Sequence, residues 1–130
     1  MRLLRGVTLI ELMLVVAIVG LLMAMALPSY QIQLAAGYRA EALSELTRMA
    51  NLQEQYYMDN HTYVADMTRL GASADPMVTL SGRFSVDAVE ASANGFTLQA
   101  TALGGQALAD SECAELKLSD AGERTPEGCW

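Results

Sequence analysis

The chain has 130 residues, enough for one domain, and a formal charge of −7. After Pro28 six basic side chains face fourteen acidic ones, a balance of −8. So acidic a body argues against general nucleic-acid binding, which sets basic surface against phosphate, and leaves room only for a small local basic patch.

Residues 1–6 form a short head with Arg2 and Arg5, closed by Gly6. From Val7 to Leu27 the chain is apolar except for Glu11. At the rise of an α-helix this run spans about 31 Å, the thickness of a bilayer core. A carboxylate at membrane depth costs on the order of 2.5–3.5 kcal/mol near the centre and less near an interface, which marks Glu11 as functional. A secretory signal carries its small-residue cleavage site after a shorter apolar run, whereas here the glycine precedes a longer one. Arg2 and Arg5 predict a cytoplasmic N-terminus and place the body beyond Pro28 outside the cytoplasm.

From Ser29 to Asn60 there is no further proline. Apolar or small residues recur at Ile32, Ala35, Ala36, Leu43, Leu46 and Ala50, with a second line at Met49, Leu52 and Tyr56. This spacing predicts an amphipathic helix whose Met and Tyr stripe serves core packing. Glu45 and Arg48 are helical neighbours. Pro28 is expected to kink or loosen the helix, Gly37 to weaken it, and Asp59-Asn60 to end it with Asn in a left-handed cap.

Residues 61–79 read as a connector pinned by Tyr63 and Leu70. Alternating apolar and polar residues then predict strands over 83–89, 95–103 and 113–119. Their apolar faces carry Phe84 and Val86, then Phe96, Leu98, Ala100 and Ala102, then Leu116 and Leu118. Ala93-Asn94-Gly95 is a hairpin turn. Three strands gain stability by burying one face on the helix, so the fold class is α+β. The tail from Ala121 to Trp130 looks irregular, with Trp130 beside it as a packing residue or a partner surface. Cys113 and Cys129 are the chain's two cysteines. In an exported small domain they read as a disulfide that holds this tail; two free thiols in a reducing compartment are the alternative.

The stretch RGVTLIELMLVVAIVGLLMAMALPSY resembles the N-terminus of type IV prepilins, with Gly6, Thr8, Glu11 and Pro28 at the family's spacing. Gln53 to Gly71 looks like the helix exit of pilins, and the ending from CAELKLSDAG to EGCW is similar to E-type minor pilins of Gram-negative bacteria. The resemblance implies a pilin fold: a cleaved leader over 1–6, a transmembrane and filament-core helix over 7–28, an amphipathic helix over 29–60, and a connector, antiparallel sheet and C-terminal disulfide loop over 61–130. It implies that prepilin peptidase cuts between Gly6 and Val7 and that Val7 is then N-methylated. Most members carry Phe where this chain has Val7. It implies that Glu11 pairs with the Val7 amine of a neighbouring subunit and guides filament assembly. The blander reading makes Glu11 a local charge favoured by the helix dipole. Gly20 and Pro28 mark where the helix can break in such filaments; the alternative treats them as ordinary membrane-helix residues.

The expected function is a structural subunit, a minor pilin, of a type IV pilus. Its partners are prepilin peptidase, other pilin subunits, the inner-membrane assembly machinery and, before assembly, the membrane itself. A pseudopilin of type II secretion is one alternative, against which the Cys113 and Cys129 pair speaks; a pilus-borne adhesin or DNA-uptake module is another. The expected location is the inner membrane as a single-pass protein, with the C-terminal body periplasmic, then the extracellular pilus. No cofactor and no catalytic centre is expected: His61 stands alone, and Asp110, Glu112 and Asp120 fit no calcium loop and read as solvated acids.

Overall fold

A computed structural model describes residues 6–130, so Arg2, Arg5 and the leader before Gly6 lie outside the described residues. The chain divides into two compact units, one reaching to Gln33 and the other Leu34–Trp130. Helix α1, Leu9–Asn60, contributes to both.

In the first unit every described side chain is exposed, including Leu12, Val15, Val16, Ile18, Val19 and Leu22. Among the described residues α1 is the one helix long and apolar enough to cross a membrane.

In the second unit α1 buries Ala42, Leu46, Met49 and Gln53. Their spacing of three and four residues puts them on one helical face. That face meets an antiparallel sheet of five strands in sequence order: β1, Met77–Val78; β2, Phe84–Ala91; β3, Phe96–Ala102; β4, Glu115–Ser119; and β5, Arg124–Thr125. The register stacks Val86 beside Ala100 beside Leu116, and Ala88 beside Leu98 beside Leu118. All six side chains join Leu46 and Met49 in one hydrophobic core, as do Phe84 and Phe96. The three alternating strands and their inward faces agree with the sequence pattern. The hairpin turn falls at 92–95, where the Ser92 amide donates to the Gly95 carbonyl.

The differences have local causes. β1 and β5 pair only two residues each, too few to show alternation. A short helix α2, Gly105–Ala109, occupies the connection after Gly104-Gly105. Ile32 and Ala36, expected on the apolar line, are exposed, and the buried line instead runs through Ala42 and Gln53. At the end of α1 the left-handed residue is His61, at φ 55°, rather than Asn60. His61 keeps one more helical bond, its amide donating to the Tyr57 carbonyl at 2.8 Å, so the chain turns a residue later than expected.

The connector is held by both apolar and polar contacts. Tyr63 stacks on Tyr57 at 4.7 Å and meets Phe96 edge-on at 4.8 Å. Leu70 is buried, closing a short 3-10 turn, Met67–Leu70, that Asp66 caps through the Thr68 amide at 3.0 Å. Gln53 has no exposed surface. Its Nε2 donates to the Val64 carbonyl at 2.6 Å and its Oε1 accepts from the Val64 amide at 3.0 Å. The side-chain amide thus imitates one rung of a sheet and ties the connector to α1. Gln53→Leu removes both bonds while keeping the volume similar. We expect a loss of about 2 kcal/mol of stability in denaturant unfolding of the detergent-solubilised chain. An unchanged midpoint would show that water satisfies Val64 instead.

Candidate functional site

Gly6, Val7 and Thr8 lie outside the helix, which starts at Leu9. The Thr8 carbonyl accepts the first helical bond, from the Leu12 amide at 3.1 Å. The Thr8 hydroxyl accepts from the Glu11 amide at 3.3 Å. Thr8 is therefore the N-cap, and Thr8 with Glu11 has the spacing of a capping box. This role of Thr8 is absent from the sequence reading above, although the Thr-x-x-Glu pattern before an apolar run is its signature. Glu11 sits in the first turn, where the helix dipole favours a carboxylate. Helix α1 is assigned as helical through both Gly20 and Pro28.

The second feature is the C-terminal segment. Cys113 and Cys129 form a disulfide, and both are buried. On α1, Arg39 reaches this segment: its Nη1 is 3.0 Å from Asp110 Oδ2 and 2.9 Å from Cys113 Sγ. A turn earlier, the buried Gln106 of α2 donates from Nε2 to the Ala35 carbonyl at 2.9 Å. Trp130 packs against the core, its indole N–H donating to the Thr125 carbonyl at 3.4 Å, with the Arg124 guanidinium 5.3 Å from its ring centre.

Two of the acids read as solvated have partners instead. Asp110 is the ion-pair partner of Arg39, its side chain 19% exposed. Asp120 Oδ1 accepts from the Phe96 amide at 3.3 Å, and its carboxylate lies where a Cβ on residue 95 would stand, 2.7 Å from Oδ1. Gly95 is thus needed for close approach at this hairpin.

The basic side chains of the body are engaged too. Arg48 pairs with Glu45 at 2.7 Å, and Lys117 with Glu115 at 3.1 Å. Arg83 lies 5.0 Å from the Tyr38 ring centre, and Arg69 reaches the Tyr56 hydroxyl at 3.4 Å. Arg48 and Arg124 share one cleft of about 460 Å³ with Ser44, Thr47, Asn51 and Trp130. Partial burial, and then repulsion from Asp75, hold the Asp87 carboxyl above its ordinary range. Thr68 hydrogen bonds hold Asp66 below its own.

A long apolar helix whose C-terminal half carries a five-stranded antiparallel sheet, with a disulfide closing the last segment, is the architecture of the type IV pilins. The family model described as type IV minor pilin ComP, DNA uptake sequence receptor, matches residues 28–117, and the prokaryotic N-terminal methylation motif matches residues 1–27. The chain belongs to this ComP family of type IV minor pilins. It is 38% identical over 91 residues to fimbrial protein EcpC of Eikenella corrodens, covering 70% of this chain and 56% of that protein. It is 37% identical over 74 residues to the type IV major pilin protein PilE of Neisseria gonorrhoeae, covering 57% and 44%. With a fimbrial protein of Pseudomonas aeruginosa it shares 39% identity over 64 residues, covering 49% and 42%. The chain spans about half the length of the curated relatives it matches.

The Asp87 environment has a measurable consequence. Its carboxyl is harder to ionise in the folded chain than in the unfolded one, so folding takes up a proton there. This contribution is fully present below the unfolded value of 3.8 and is lost as pH rises through the raised folded value. We expect Asp87→Asn to be more stable than the parent at neutral pH, with the advantage shrinking on acidification. Melting temperatures of both chains across this range test it; parallel curves would refute the assignment.

Proposed function

We propose that this chain is a minor subunit of a type IV pilus, made as a membrane-anchored prepilin and acting as a structural protein with no catalysis of its own. One observation carries the reading: Thr8 starts the helix just after Val7, leaving the Gly6–Val7 bond in non-helical backbone with Glu11 one turn further on. A peptidase binds an extended backbone more readily than a helical one, because helical amides and carbonyls are already bonded to each other. In this reading prepilin peptidase removes residues 1–6 on the cytoplasmic side and Val7 is N-methylated. Residues 7–28 then pass from lipid to the filament core, residues 29–60 form the amphipathic continuation, and residues 61–130 form the head. Before assembly the head is periplasmic; afterwards it is carried in the extracellular pilus.

Glu11 supplies the assembly step. A carboxylate in apolar surroundings is stabilised by a cationic partner, and the new amine of a neighbouring subunit's Val7 is one. Gly20 and Pro28 give that helix two positions of low propensity where the filament can loosen it. Other pilins and the inner-membrane assembly machinery are the partners. We expect Glu11→Ala to be processed at Gly6 at the parent rate, yet to fall by more than about tenfold in sheared pili. Mass spectrometry of those pili reads both the amount and a methylated Val7 start. Normal incorporation of the variant would falsify the pairing.

A second reading is DNA contact, favoured by the matched family's description and by the cleft that joins Arg48, Arg124, Asn51 and Trp130. Cations for phosphate are the chemistry such contact uses. If it holds, the chain binds labelled duplex DNA in an anisotropy titration. Arg124→Ala then weakens binding and lowers the salt slope by roughly one. Affinity that ignores salt concentration would rule this second reading out.

A further inference from the structure

We propose that Arg39 makes Cys113 the resolving thiol when the Cys113–Cys129 disulfide closes, so that the oxidising partner engages Cys129 and never Cys113. The inference rests on chemistry within Leu34–Trp130 and is independent of the pilus reading.

The two cysteines are placed very differently. Cys113 ends a short 3-10 turn, Ser111–Cys113, directly before β4, whose Leu116 and Leu118 belong to the core. This turn is fixed to α1 by the Arg39–Asp110 pair and, through α2, by Gln106 on the Ala35 carbonyl. Cys129 lies in the tail, beyond the two-residue strand β5, both of whose residues are exposed. Apart from Cys129 and the partly buried Trp130, the buried core is built from residues 35–118. In this proposal the scaffold holds Cys113 before the disulfide forms, whereas Cys129 depends on a tail whose one other side chain packed against the core is Trp130.

Arg39 then separates the thiols chemically. Its Nη1 stands 2.9 Å from Cys113 Sγ, close enough to donate a charge-assisted hydrogen bond to a thiolate there. Asp110 holds the guanidinium in place at 3.0 Å and offsets part of its charge, so the effect is that of one such bond and not of a bare cation. Among the described hydrogen bonds Cys129 has no cationic donor; in the closed disulfide its sulfur faces the Glu112 carbonyl at 3.7 Å. Stabilised thiolates form more readily at neutral pH and are better leaving groups.

The exchange balances with a thiol–disulfide oxidoreductase in its disulfide form as oxidant. Cys129, as thiolate, attacks one sulfur of that disulfide and releases the enzyme's other sulfur as a thiolate. The Cys113 thiolate then attacks Cys129 Sγ; the Cys113–Cys129 bond forms and the mixed disulfide breaks. The enzyme leaves as a dithiol with the two electrons of the new bond, and the two protons lost by the cysteine thiols are returned to it. In the reverse direction a reductant attacks Cys129 and Cys113 departs.

Two measurements test this. The first is the ultraviolet thiolate absorbance of the full chain carrying Cys129→Ser, which leaves Cys113 as its one thiol. Its titration midpoint is expected about one pH unit below the ordinary 8.5, to return there on Arg39→Met, and to stay partly lowered on Arg39→Lys. The second incubates reduced chains with an oxidoreductase whose own resolving cysteine is replaced by serine and whose remaining cysteine is held as a mixed disulfide with thionitrobenzoate, which leaves as a thiolate when the chain's thiolate attacks the enzyme sulfur. The Cys113→Ser chain should accumulate a mixed disulfide through Cys129, and the Cys129→Ser chain should accumulate little. A Cys113 midpoint at or above the ordinary value, or capture through Cys113 in preference to Cys129, overturns the proposal. Both of these deciding outcomes keep Arg39 intact, so a variant of Arg39 that fails to fold does not remove the test.

Discussion

One packing constraint governs the head: the inward faces of β2, β3 and β4 must be covered, and a single face of α1 covers them. The sheet presents Phe84, Val86 and Ala88, then Phe96, Leu98 and Ala100, then Leu116 and Leu118. Opposite stand Ala42, Leu46 and Met49. Ala42 starts that face, and Leu46 and Met49 follow it one and two turns further along α1. Burial at about 25 cal/mol per Å² makes this interface the main source of stability. Side-chain hydrogen bonds add to it on both flanks: Gln53 to Val64 holds the connector beside the Tyr57–Tyr63 stack, and Gln106 with Arg39 holds the β3–β4 connection.

How much of this was legible follows from periodicity. The long helix and the three alternating strands each repeat a pattern over many residues, so the sequence reading recovers them and the faces the strands bury; on the helix it recovers Ala35, Leu46 and Met49 but also expects Ile32 and Ala36, which are exposed. Tyr63 and Leu70 are also recovered, since isolated apolar residues in a polar connector have few other uses. Gln53 is missed because a polar residue on a helical line reads as solvent-facing; its burial depends on the Val64 backbone meeting it from eleven residues away. The strands β1 and β5 leave no signal because each is defined by its partner and not by its own residues. Asp110 and Asp120 read as solvated for the same reason: their partners, Arg39 and the Phe96 amide, are distant in sequence.

The cations of the body follow a common rule. Each of the six lies within reach of a carboxylate, a hydroxyl or an aromatic ring of the same chain. Fourteen acids therefore set the field around the body beyond Pro28. Arg48 and Arg124, both exposed, come together in the cleft beside Trp130, while the exposed Arg69 lies outside it. A polyanion held at that cleft works against the charge of the rest, so its binding depends strongly on salt.

At the other end of the chain the division of labour between Thr8 and Glu11 matters for the proposed assembly. A helix start needs acceptors for its first amides. If the Glu11 carboxylate had to meet that need, pairing it with an amine would unsettle the helix that carries it. Here the Thr8 hydroxyl accepts from the Glu11 amide, so the backbone of the first turn is served without the carboxylate. Among the described residues no hydrogen bond or ion pair engages that carboxylate. In the proposed assembly this charge, on a helix start that Thr8 already caps, takes a partner outside its own chain. There the apolar run exchanges lipid for neighbouring helices, with Gly20 and Pro28 as the places where it can loosen, and the one charged group along it gains a partner.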